Sequence, residues 1–279
     1  MWKPLAVLVA QLAFLNQIET YSHTMLIPLI VSVAYVSFIV LGTRFMKSRK
    51  PLALKGTFSL QSPTLKLKLN TQHSTGWMFS YNLYQVCMNV YTAVCLVHEV
   101  YRLGFSIWGN EASAGSDRLT FLLFLHYQNK YVELADTAFM VLRKKYDQVT
   151  TLHVYHHLLL LWSWFMVINI APGSDAYFGA LINSLTHIFL YGYYTLALLN
   201  VECPWKIGLT SLQILQFVVC SVHAIFCMFR SDYPRVLLYL DLFVQSNMLI
   251  LFGRFFCNTY GTTKTTKKEE TKKKKTTFT

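Results

Sequence analysis

Charge is what this chain has least of. Charged residues fill 14% of its 279 positions and only 13 are acidic, which excludes an ordinary soluble domain, where about a quarter of residues are charged. Cysteine is sparse and unpatterned: the six at 87, 95, 203, 220, 227 and 257 show neither CxxC spacing nor the disulfide framework of a small secreted domain. A full-length span is missing at the N-terminus, where the apolar run from Leu5 to Leu15 is too short and lacks a small-residue cleavage site. An interfacial helix suits that run better than a signal peptide.

What the chain has instead is apolar length. Hydrophobic residues reach 54% and aromatics 15%, a composition suited to a polytopic membrane protein. Since a span needs about 20 mostly apolar residues, helices are expected near 24–43, 77–101, 118–142, 151–170, 175–199, 206–229 and 235–257. The expected fold is an all-α integral membrane protein whose seven transmembrane helices enclose a substrate tunnel open to the cytosol. Residues 1–23 form an N-terminal lumenal or interfacial segment, 24–257 the membrane domain, and 258–279 a disordered basic tail.

Nineteen of the 25 lysines and arginines fall on one side of that topology: in the 44–68 loop, at Arg143 to Lys145, at Lys206, and from Arg254 through the tail. Cytosolic loops carry such an excess, which puts the C-terminus in the cytosol and the N-terminus across the membrane. The net charge of +12 then needs no nucleic acid. Topology signals and attraction to anionic headgroups account for it, with steering of an anionic substrate as the alternative. Cys95 and Cys227 fall toward the non-cytosolic ends of their helices, where one bridge between them competes with two separate thiols.

Against this background the polar residues stand out. His153-Val-Tyr-His156-His157 is an HxxHH cluster inside the fourth span, and ionisable groups at membrane depth face an interior or a cavity rather than lipid. The third helix carries His126, Asn129, Lys130, Glu133, Asp136 and Thr137 within about a third of its circumference. Facing lipid, its three charges would cost about 8 to 10 kcal/mol even on a lenient insertion scale. Asn183, His187, Tyr191 and Tyr194 share a stripe of the fifth helix, Gln213, Gln216 and Phe217 one of the sixth, and Asp241 and Gln245 one of the seventh. A buried Lys-Glu-Asp network and interhelical hydrogen bonds would explain part of this without chemistry. His98 and His223, each alone in its helix, read as packing histidines. The box follows the loop Arg143 to Thr151 directly, so the chamber opens to the cytosol with apolar helix beneath it.

Two chemistries use clustered intramembrane histidines. In one, HxxHH together with His126, His187, Glu133 and Asp136 ligates zinc or iron, as in a metal-dependent membrane lipid hydroxylase or desaturase. Integral di-iron enzymes of that kind draw on several histidine boxes, and this chain has one. In the other the imidazoles act themselves, since an ordinary pKa near 6.5 leaves them available at neutrality. A neutral imidazole attacks a thioester to give an activated acyl-imidazole, and a histidine, amide or lysine donor stabilises the oxyanion.

At these residues the chain resembles the ELO family of very-long-chain fatty-acid elongases. The resemblance rests on Lys130-x-x-Glu133-x-x-Asp136-Thr137 running to Leu142-Arg143-Lys144-Lys145, on the HVYHH box, on Asn183-x-x-x-His187-x-x-x-Tyr191-x-Tyr193-Tyr194, and on Thr210-x-x-Gln213-x-x-Gln216-Phe217, in that order. It departs at Leu190, where the family commonly has methionine. The resemblance implies a 3-ketoacyl-CoA synthase of the endoplasmic reticulum membrane. Such an enzyme condenses an acyl-CoA with malonyl-CoA, releasing carbon dioxide and CoA, without metal or tightly bound cofactor. It further implies that His156 accepts the acyl group and His187 partners it, that His153 and His157 orient and polarise the pair, and that Asn183 positions groups at the thioester with Lys130, Glu133 and Asp136. Thr137, Tyr191, Tyr194, Gln213 and Gln216 join the substrate-binding set.

Coenzyme A is a polyanionic carrier, so Arg143, Lys144, Lys145 and Lys206 are the expected nucleotide ligands, although each doubles as a topology signal. The acyl chain would lie in the apolar interior. Expected partners are membrane lipid, the 3-ketoacyl-CoA reductase and 3-hydroxyacyl-CoA dehydratase that complete the cycle, and a second copy in a homodimer. Gln148 and the form HVYHH resemble the branch that includes polyunsaturated and longer-chain elongases. The family's dilysine retrieval pattern departs here, because Thr-Thr-Phe-Thr follows Lys275.

Overall fold

Apolar runs bounded by charged or turn-forming residues become helices throughout the computed structural model, which describes residues 25–52, 76–111, 115–199, 201 and 203–261. The expected N-terminal segment and the tail beyond Gly261 lie outside these. The helices are α1 (Leu26–Lys47), α2 (Gly76–Leu103), α3 (Asp117–Glu133), α4 (Ala135–Leu142), α5 (Thr151–Ile170), α6 (Ala176–Leu198), α7 (Lys206–Arg230) and α8 (Arg235–Phe256). A π-helical turn, Cys257–Gly261, continues α8 past the expected boundary. No strand occurs among the described residues.

Two boundaries depart from expectation for local reasons. α1 runs past 43 to Lys47, because Arg44 and Lys47 place cations in its last turn, where the helix dipole favours them. The single helix expected over 118–142 is two, offset at Leu134, whose N–H turns back to the Tyr131 carbonyl at 3.3 Å. Such an i→i−3 contact tightens one turn. Its consequence is that α3 and α4 can present their polar groups to different neighbours.

Caps fix the phase of the elements that matter most. Ser116 Oγ accepts from Leu119 N at 3.0 Å to start α3, and Thr150 Oγ1 accepts from His153 N at 3.2 Å to start α5. The second cap places the histidine box in the opening turns of its helix. α4 ends in a Schellman-type turn, Lys145 N to Met140 O at 2.9 Å and Lys144 N to Val141 O at 3.1 Å, with Lys144 in the left-handed region at φ +57.

In packing order, α2, α3, α5, α8, α7 and α6 close into a ring, and α1 lies outside it against α4 and α5. A Cβ on Gly42 would come 3.2 Å from Val141 Cγ1, so the α1–α4 approach depends on that glycine. The main apolar core, with Leu96, Leu122, Leu161, Phe165 and Tyr177, fills the ring between α2, α3, α5 and α6. Among the described residues, four helices are long and apolar enough to cross a membrane: 26–47, 151–170, 207–230 and 235–260. The seven expected spans reduce to four by that measure, since α2, α3 and α6 are shorter or carry inward-facing amides, histidines and charges. Large apolar side chains such as Leu29, Val94, Phe229 and Ile250 are exposed around the outside, as a lipid-facing surface requires. All six cysteines, Cys95 and Cys227 included, are free.

Candidate active site

α3 supplies the charged half of the site. Lys130 and Glu133, 2% and 1% exposed, meet at 2.8 Å between Nζ and Oε1. Either charge buried alone would be costly, and neighbours complete the pair. Lys130 Nζ also donates to Asn183 Oδ1 on α6 at 2.7 Å, while Asn129 Nδ2 reaches Glu133 Oε1 at 3.3 Å and Gln85 Oε1 on α2 at 2.8 Å. His187 brings Nδ1 to 3.2 Å from the same Glu133 oxygen, at ion-pair distance but outside hydrogen-bond alignment. With its carbonyl held by the ammonium, Asn183 turns its two N–H donors the other way.

Past the offset, Asp136 and Thr137 go to different partners. Asp136 Oδ2 accepts from Tyr191 Oη at 2.7 Å, and the rings of Tyr81 and Tyr194 lie 6.0 and 5.9 Å from that of Tyr191. Thr137, fully buried, lies 2.7 Å from Tyr35 Oη on α1 and 2.9 Å from His153 Nε2 on α5.

The box histidines are not equivalent. His153 and His157 pack edge to face at 4.4 Å, and His156 and His157 at 5.4 Å. His157 is buried and the other two half-buried. His156 alone turns to α8, edge-on to Phe252 at 6.1 Å. Their nitrogens do not converge as metal ligands do. Among the described residues, the group of three ligating side chains within 4.8 Å of one another is Asp175, His223 and Cys227, beyond the far end of α5. There Asp175 already accepts from Asn110 Nδ2 at 2.7 Å and Ser231 Oγ at 2.5 Å, and His223 stacks on Phe178 with centroids 3.9 Å apart. His223 is thus the packing histidine expected of it, whereas His98 is exposed.

A cavity of about 100 Å³ lies between α5, α6, α7 and α8. Asn183 and Gln216 line it at the polar cluster, Asp175, His223 and Tyr233 line its other end, and Leu160, Val167, Leu237 and Val244 make its walls apolar. One polar pair interrupts them, Gln245 Nε2 donating to Asp241 Oδ1 at 2.7 Å. Gly179 also borders the cavity, and a Cβ there would meet nothing within 4 Å.

The remaining expected residues are more dispersed. Gln216 is buried with its Oε1 unpartnered, and Gln213, one turn nearer Lys206, is half-buried. Arg143 and Lys145 belong to the turn that ends α4, and Lys144 Nζ donates to the Lys47 carbonyl at 3.2 Å. That ammonium is engaged with the end of α1 rather than standing open at a mouth. The side chain of Lys206 lies outside the described residues. Tyr35, Tyr81 and Gln85 are site residues that the sequence reading passed over. Asn82, Gln85 and Asn89 form a buried amide stripe at helical spacing on α2, a legible signal; Tyr35 stands alone among aliphatic neighbours and gives none.

The ELO model, described as the GNS1/SUR4 family, matches residues 20–270. Very long chain fatty acid elongase 7 of Rattus norvegicus is 34% identical over 239 residues, 81% of this chain and 78% of that protein. Elongase 5 of Xenopus tropicalis is 30% identical over 252 residues, 88% of this chain and 79% of that protein, and elongase 2 of Mus musculus 31% over 238 residues, 83% and 75% respectively.

Proposed function

This chain belongs to the ELO (GNS1/SUR4) family, and from that premise we propose that it is the condensing enzyme of fatty-acid elongation, a very-long-chain 3-oxoacyl-CoA synthase. The observation that carries the reading is the junction of the Lys130–Glu133–His187–Asn183 cluster with an apolar cavity that Asn183 lines, with the histidine box on α5 one turn before Leu160 of the cavity wall. An acyl-transfer centre needs a nucleophile, oxyanion donors and an apolar space for the chain, and the roles fall to His156, the Asn183 amide and this cavity.

In the first half-reaction a neutral His156 nitrogen attacks the acyl-CoA thioester. The carbon–sulfur bond breaks, and the imidazole N–H proton passes to the departing CoA thiolate, leaving an acyl-imidazole. In the second, the bond from malonyl-CoA to its carboxylate breaks, and its electron pair becomes an enolate as carbon dioxide leaves. The enolate attacks the acyl carbonyl, the carbon–nitrogen bond breaks, and a proton taken up from solvent restores the neutral His156 imidazole. Asn183 N–H donors suit the developing oxyanions, and a slight turn of the His187 ring would align Nδ1–H with Glu133 and present Nε2 to substrate as a proton acceptor. The scheme uses acyl-CoA and malonyl-CoA as substrates and no tightly bound cofactor.

The test is product analysis: purified protein with malonyl-CoA and a panel of saturated and polyunsaturated acyl-CoAs should yield 3-ketoacyl-CoAs two carbons longer. Release of free fatty acid or oxidised lipid instead would reject the reading, as would stoichiometric iron or zinc lost together with activity on chelation. If the cavity holds the acyl chain, Gly179→Leu, whose Cβ meets nothing within 4 Å, projects a side chain into it and should cut turnover of the longest accepted acyl-CoA at least tenfold while sparing shorter ones. Equal loss across the panel would place the chain elsewhere.

The reading extends to the cell. Seven spans with the lysine-rich side cytosolic would put the thioester chemistry at the cytosolic face of the endoplasmic reticulum, near the reductase and dehydratase that consume the product. Gln148 and the HVYHH form favour polyunsaturated or very long substrates, and a homodimer is the expected assembly.

A further inference from the structure

α1 is the helix least engaged with the bundle, with Pro28, Tyr35 and Met46 as its buried residues. Tyr35 nonetheless reaches the histidine box. Its hydroxyl lies 2.7 Å from Thr137 Oγ1, which in turn lies 2.9 Å from His153 Nε2. We propose that Tyr35 is a positioning residue: through Thr137 it holds His153 in the tautomer whose Nε2 carries no proton, and so sets the orientation of the box.

The direction of the chain follows from counting protons. A threonine hydroxyl has one proton and two lone pairs; accepting from both Tyr35 and His153, its partners among the described residues, would leave its own buried proton without an acceptor, so Thr137 donates to one and accepts from the other. Were His153 Nε2 the donor, Thr137 would donate to Tyr35, and the phenol proton would need a further acceptor. Thr137 is the hydrogen-bond partner of Tyr35 among the described residues, and Asp136 Oδ2, on the adjacent residue, accepts from Tyr191. A buried donor left without an acceptor is the costlier arrangement. The protons therefore run from Tyr35 to Thr137 to His153 Nε2, which leaves the imidazole proton on Nδ1. His153 packs on His157 at 4.4 Å and His157 on His156 at 5.4 Å, so the ring fixed by Thr137 is two contacts from the proposed nucleophile.

The kinetic consequence rests on the condensing-enzyme reading; the hydrogen-bond chain does not. Tyr35→Phe should lower kcat about tenfold, the worth of one buried hydrogen bond, with KM for both substrates unchanged, and Thr137→Val should lower kcat at least as much. Thr137→Ser keeps the hydroxyl and should recover most of the kcat that Thr137→Val loses. The Tyr35→Phe/Thr137→Val double variant should be no slower than Thr137→Val alone, because both act through one chain. Nitrogen spectra of protein carrying 15N-histidine should show one signal, assigned by its loss in His153→Gln, with Nε2 unprotonated, and Tyr35→Phe should convert it to a mixture of tautomers. Wild-type kcat in Tyr35→Phe, multiplicative losses in the double variant, or a protonated Nε2 in the parent protein overturns the proposal. If the parent protein performs no condensation, the spectra still decide the tautomer, so the two failures are distinguishable.

Discussion

Incubated with acyl-CoA alone, the wild-type protein is expected to gain the mass of one acyl group, and His156→Ala to gain none. Condensation with malonyl-CoA should fall together with the adduct, by about 10⁴-fold or more, as removal of a covalent nucleophile does elsewhere. The effect is large because no other group makes the acyl-imidazole, whereas His153 and His157 act on that step through contact. His153→Ala and His157→Ala should accordingly still form the adduct, more slowly. Intact-mass measurement reads all three variants directly. An adduct of full occupancy in His156→Ala would move the nucleophile to another residue, and one abolished only in His187→Ala would exchange the two proposed roles.

The second large effect concerns the buried ion pair. Lys130→Met leaves the Glu133 carboxylate in a 1% exposed site with Asn129 Nδ2 at 3.3 Å and His187 Nδ1 at 3.2 Å, a loss of about 3 to 5 kcal/mol for one partner removed. It also frees Asn183 Oδ1, so the amide loses the orientation that presents its donors. Stability in detergent and turnover should therefore both collapse. The double change Lys130→Met/Glu133→Leu removes both charges and should recover most of the unfolding midpoint while condensation stays low. Recovery of activity with stability would show that the pair only ties α3 to α6 and does not act on substrate.

The contrast between Lys130 and Lys144 shows how far spacing can carry an argument. Lys130, Glu133, Asn183 and His187 were legible as a site because charge and amide in an apolar helix have few harmless explanations, and all four converge. Lys144 was legible only as part of a basic run, where topology, lipid and nucleotide all predict the same letters; its bond to the Lys47 carbonyl depends on a left-handed turn that no pattern announces. Leu134 is similar. A continuous polar stripe over 118–142 reads as one helix, yet a single i→i−3 contact divides it. The amide stripe on α2 was present in the letters but outweighed by the charged helices.

By itself the sequence determined that the chain is helical and apolar, that its ionisable residues must turn inward, and that one histidine box stands beside a Lys-Glu-Asp helix and an Asn-His-Tyr helix. These are consequences of periodicity and of the cost of polar groups in lipid, and both act locally along the chain. Only the tertiary structure decided which histidine faces α8, that Asn183 is held by Lys130, that Thr137 joins α1 to the box, and that Asn183 and Gln216 border one apolar cavity. Each of these is a contact between helices far apart in sequence. Helical periodicity fixes the face a side chain leaves from but not the neighbour it meets.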